Sequence, residues 1–125
     1  MKKENIEKVK KLLPLTLLMS IIHLNEKLYV LFITSFLGFI IFNLHWNEPQ
    51  NGTIRIFDII IVHLNIISYL YFNFYYNSRL GIIVTILCYF FFIEGYRLNN
   101  FKHHFSGMIL AFLSGITIII NKKYK

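Results

Sequence analysis

Three observations predict an all-α fold, a polytopic transmembrane helix bundle. The chain of 125 residues is 56% hydrophobic and only 15% charged, where soluble domains carry about a quarter charged residues. Its apolar residues fall in long runs parted by short polar breaks, with a mean hydropathy of +0.56. Its basic residues, which give a net charge of +7, stand at the chain ends and between the runs, as orientation in a bilayer requires. Together these point to one integral membrane domain, residues 1–125, with the lipid bilayer as its surroundings. They exclude a nucleic-acid-binding protein, whose charge would gather in a patch.

Residues 54–76, IRIFDIIIVHLNIISYLYFNFYY, organise the rest. As a helix this run reaches about 34 Å, enough for a hydrocarbon core of about 30 Å. Its interior holds Asp58, His63 and Asn65. A carboxylate one turn inside a membrane helix is costly unless it meets a partner or water, which makes Asp58 the first candidate functional residue.

The other elements follow in order. Residues 1–11 form a basic segment with Ile6 and Val9 three apart, which predicts an amphipathic helix lying on the membrane surface. Residues 12–24 are an apolar run with Pro14, short for a crossing and suited to an interfacial or re-entrant path. A basic start before a short apolar run also describes a signal peptide, but no small-residue cleavage pattern follows, so the run is expected to be mature structure. Residues 28–46 are long enough to span and end on Trp46, an interface residue. Residues 47–53 read as a turn, with Pro49, Asn51-Gly52 and a formal glycosylation sequon at Asn51. After the central run come spans at 80–96 and 105–120. Ser106, Gly107, Ala111, Ser114 and Gly115 in the last, like Thr34, Ser35 and Gly38 in the second run, offer small-residue packing faces, which self-association into a homo-oligomer would also use. No internal repeat is evident. The lone cysteine, Cys88, can form no internal disulfide. Richness in Ile, Asn, Lys, Phe and Tyr matches coding by an AT-rich genome, viral or microbial.

The expectation is therefore four spans, or five if residues 12–24 cross. With that run on the surface, Lys2, Lys3, Lys8, Lys10, Lys11, Lys27, Arg79, Lys122, Lys123 and Lys125 share one side against Arg55, Arg97 and Lys102. The positive-inside rule then places both termini in the cytoplasm.

Alternation of helix direction has a consequence independent of that count. It brings His45, Asp58, Glu94, His103 and His104 to one membrane face. Imidazoles and carboxylates gathered there are ligand types for zinc, with His45, His103 and His104 as candidate ligands, or a general acid and base pair, with Asp58 in the catalytic role. Adjacent histidines on a helix point about 100° apart, so only one of His103 and His104 is expected to serve. The structural alternatives are helical ion pairs, Asp58 with Arg55 and Glu94 with Arg97, each three residues apart. Asn65, seven residues beyond Asp58, is expected on nearly the same face, with His63 rotated away.

A histidine ending one span (His45), an aspartate soon after the next begins (Asp58, in RIFDIII) and a histidine before a small-residue stretch (His103, in HHFSG) together resemble the superfamily of alkaline ceramidases and adiponectin receptors. The resemblance implies a membrane hydrolase of lipid amides with zinc held by three histidines, a serine and an aspartate nearby. It touches three positions. The serine expected one turn before the first histidine is Ile41, and the histidine expected one turn before His103 is Asn99. The chain is also shorter than the usual seven spans need, so the resemblance implies a reduced form. Three functions stay open: a non-enzymatic membrane component or scaffold, a metal-dependent hydrolase of lipid amides or esters, and an oligomeric ion pore with rings of Asp58 and Glu94. The incomplete catalytic set favours the first.

Overall fold

A computed structural model of the chain describes residues 3–47, 52–98 and 101–123. Among these residues the structure is helical throughout, with α1 Lys3–Lys10, α2 Leu13–Asn25, α3 Tyr29–Asn47, α4 Gly52–Tyr75, α5 Arg79–Leu98 and α6 Phe101–Lys123. Helices α3 to α6 are each long and apolar enough to cross a membrane. The chain is thus a multi-pass integral membrane protein of helical-bundle architecture, as expected. The turn residues 48–51, with the sequon Asn51, and Asn99 lie outside the described residues.

Pro14 explains where α1 stops and α2 begins. Lacking an N–H, it cannot donate to the carbonyl four residues back, and it occupies the first turn of α2, where none is needed. The chain turns at Lys11 and Leu12, held by the Leu12 N–H donating to the Val9 carbonyl at 2.9 Å.

Helix α2, from the run expected to be interfacial or spanning, is not among the helices long and apolar enough to cross a membrane. At 13 residues it is about 20 Å long, and it packs antiparallel along α3 through Leu13, Met19, Ser20 and His23 while Leu18, Ile21 and Leu24 stay exposed on its other face. Leu13 packs in a core with Val9, Phe42, Trp46, Val62, Phe92 and Met108. At the other end of α2, Ile22 joins Leu28, Leu31, Tyr69 and Ile118. The driving force is burial of Leu13 and Met19 against the neighbouring helices.

Helix α1 sits beside Trp46 and the start of α6, whereas the end of α6 meets the α2–α3 turn, where Lys123 Nζ is 3.1 Å from Glu26 Oε1 and Lys122 donates to the Glu26 carbonyl. Lys3 and Lys123, the first and last described residues, therefore lie at opposite ends of the bundle. Among the residues with described side chains, Lys8, Lys10, Lys11, Arg55, Arg97 and Lys102 stand toward one end and Lys27, Arg79, Lys122 and Lys123 toward the other.

The structure also contains an internal repeat, offset by fifty residues. Helices α2 and α4 both end in a Schellman turn, with a 6→1 bond from Leu28 N to His23 O (2.9 Å) and from Ser78 N to Asn73 O (2.8 Å). The residue before each donor, Lys27 or Asn77, is left-handed, with φ 61 and 56. Beyond the turns, buried positions 23, 28, 31, 35, 38, 42 and 45 are matched by buried positions 73, 78, 81, 85, 88, 92 and 95. The small residues serve packing within the chain. A Cβ on Gly38 would lie 3.2 Å from Asn65 Nδ2, one on Gly107 3.1 Å from the Phe92 ring, and one on Gly115 2.7 Å from Met19 Sδ. Outward positions such as Ile33, Ile60, Ile67, Ile83 and Phe90 are exposed, an apolar surface too extensive for water and suited to lipid.

Candidate functional site

Four helix ends build the site. The last turn of α3 turns His45 and Trp46 inward, the second turn of α4 supplies Asp58, the end of α5 supplies Tyr96, and the first turns of α6 supply His104. Asp58 is 1% exposed, and His45 and His104 are each 5% exposed. The Tyr96 hydroxyl donates to Asp58 Oδ2. His45 Nε2 lies 3.9 Å from the same oxygen. The rings form a continuous wall, with His45 edge-on to Trp46 at 5.0 Å and His104 edge-on to both Trp46 (5.3 Å) and Tyr96 (5.0 Å). A Cβ on Gly95 would fall 3.2 Å from the His104 ring, so α5 and α6 approach this closely because position 95 has no side chain. Asp58 Oδ1 and His45 Nδ1 are buried without a hydrogen-bond partner.

The expected residues thus divide. His45, Asp58 and His104 come together, whereas His103 turns to Phe91, 5.8 Å between rings. Glu94 is held by Arg97, whose Nη2 donates to Oε2 at 2.6 Å, which is the structural alternative for that residue. Arg55 reaches across to the Tyr96 carbonyl at 3.5 Å. Asn65 donates to the carbonyls of Thr34 and Ile61, both at 3.1 Å. His63 bonds instead to Tyr89, Nε2 to hydroxyl 3.1 Å. Among the described residues no three of His, Cys, Asp or Glu are grouped to hold a metal ion.

Below the wall lies a chamber of about 50 Å³, lined by apolar side chains including Met19, Phe42, Val62 and Phe92 and by Thr16, Ser35 and Asn65. Neither His45, Asp58, Tyr96 nor His104 borders it.

Sequence reasoning missed two things. Tyr96 carried no signal as a partner of Asp58, because its role depends on which turn of α5 faces α4. The second is a buried polar network at the opposite end. There Asn73 Nδ2 donates to the Tyr69 carbonyl (2.9 Å) and to Ser114 Oγ (3.1 Å), Thr117 Oγ1 donates to Asn73 Oδ1 (2.9 Å), and Thr85 Oγ1 lies 2.5 Å from Ser114 Oγ. It joins α4, α5 and α6. His23, fully buried beside Tyr69, has no partner on either ring nitrogen. Comparisons with protein families, with curated proteins and with solved structures give no match.

Proposed function

We propose that the protein is a non-enzymatic multi-pass membrane component, a helical scaffold whose two buried polar clusters fix helix register at opposite ends of the bundle. One observation carries this reading. The Asp58 carboxylate is enclosed by the ring wall and bonded to Tyr96, and the chamber beneath is bordered by none of the cluster residues. A carboxylate bonded to Tyr96 joins α4 to α5 and acts as a latch.

A second reading rests on Asp58 Oδ1 and His45 Nδ1, both buried and unpartnered. Such atoms are costly to leave unsatisfied, and an opening of the wall would expose an acid–base pair able to act on a lipid amide or ester. The deciding experiment uses purified wild type, Asp58→Asn and Asp58→Ala. Under the scaffold reading Asp58→Asn, which still accepts from Tyr96, unfolds at or above the wild-type temperature and Asp58→Ala unfolds lower. Wild type then carries no stoichiometric zinc by elemental analysis and cleaves no lipid amide. Zinc at one per chain that is lost in His45→Ala, or lipid cleavage abolished by Asp58→Asn in a folded protein, overturns the scaffold reading.

A further inference from the structure

At the end of the bundle that carries α1, two segments about ninety residues apart in sequence meet around an open groove of about 510 Å³. It is lined by Lys8, Lys11 and Leu12 on one side and by Lys102, Phe105 and Ser106 on the other. Lys8, Lys11, Lys102 and Phe105 are all exposed. Lys10 lies near Glu7, 4.0 Å from its Oε1, and is not part of the groove lining.

We propose that this groove binds the anionic headgroup of one membrane phospholipid, with the lipid phosphate among Lys8, Lys11 and Lys102 and the first part of an acyl chain against Leu12 and Phe105. The arrangement favours a lipid over a soluble anion on two grounds. The groove opens at the first turn of a membrane-spanning helix, at headgroup depth, and its lining joins three ammonium groups to apolar side chains, the same pairing of charge and hydrocarbon that a phospholipid presents. Ser106 adds a hydroxyl at the same depth. The proposal is independent of the chemistry at Asp58.

The test uses the full chain in neutral detergent with short-chain phosphatidylglycerol, short-chain phosphatidylcholine and inorganic phosphate as probes, read by native mass spectrometry of the folded protein. Wild type is expected to retain one phosphatidylglycerol, to release it as salt rises, and to retain no phosphatidylcholine. The Lys8→Gln, Lys11→Gln, Lys102→Gln variant should lose at least about tenfold in affinity, since each basic group near an anionic surface contributes a several-fold factor. Lys122→Gln with Lys123→Gln, at the other end of the bundle, should leave binding intact. Lys11→Gln alone, expected to fold because the residue is exposed in the α1–α2 link, should weaken binding measurably. Equal retention of the two lipids, binding unaffected by Lys11→Gln, or equal loss in the Lys122 and Lys123 variant overturns the proposal. So does displacement of the lipid by equimolar inorganic phosphate, which would make the groove a phosphate site.

Discussion

Asp58 and Gly81 show how much rests on single atoms. Tyr96→Phe removes the donor to Asp58 Oδ2 and leaves the carboxylate unsatisfied, which should cost about 1–3 kcal/mol, read as a lower unfolding temperature in detergent that Asp58→Asn in the same chain partly restores. At the opposite end a Cβ on Gly81 would sit 1.8 Å from Asn73 Oδ1 and 2.5 Å from Thr117 Oγ1. Gly81→Ala must therefore break the Asn73 network, at a cost of about 3 kcal/mol. Gly115→Ala meets the flexible end of Met19 at 2.7 Å and the His23 ring at 3.3 Å, and thermal unfolding of the two variants should rank Gly81→Ala as clearly the more damaging. Residue roles were legible where a charge stood in an apolar run. The burial of Asp58, the divergence of His103 from His104 and the pairing of Glu94 with Arg97 all follow from helical geometry and the cost of intramembrane charge. Tyr96, Asn73 and Gly81 were not legible, since Tyr and Asn recur throughout this chain and only the packed interhelical register distinguishes these from the rest.

The spanning helices were read within about two residues, because apolar runs bounded by polar turns determine them, except that α6 starts four residues before the 105–120 run and ends three after it. What escaped was the relation between them. Of the seven matched buried pairs fifty residues apart, only Phe42 and Phe92 are identical. Ser35 with Thr85 keeps a small hydroxyl residue, while His45 with Gly95 and Leu31 with Gly81 trade a large side chain for none. Burial recurs where identity does not, so the repeat is visible in packing alone. Its turns differ in quality. Ser78 caps α5, its Oγ accepting from the Gly81 N–H at 3.0 Å, and Asn77 tolerates the left-handed conformation, whereas Lys27 takes up the same φ at a steric cost. Lys27→Gly should raise stability by about 0.5–1 kcal/mol, measured by thermal unfolding, and Asn77→Gly should give a smaller gain.

At the scale of the molecule, the short run at residues 12–24 decides the topology. Length and charge favoured leaving it on the surface; its packing along α3 draws it against the bundle and puts Lys3 and Lys123 at opposite ends. Single cysteines introduced at residues 3 and 123 should consequently react with a membrane-impermeant maleimide from opposite sides of sealed vesicles. Cys88, fully buried, contributes little background. Labelling of both from the same side would show that α2 leaves the bundle in the membrane.

The two hairpins of the repeat, α2 with α3 and α4 with α5, are offset by two helices and so run in the same sense through the bundle. Internal repeats of membrane proteins are either inverted in the membrane plane or parallel about the membrane normal, and this one is of the parallel kind. Its two ends therefore never exchange roles: the end that holds Asp58 and the end that holds Glu26 present different chemistry.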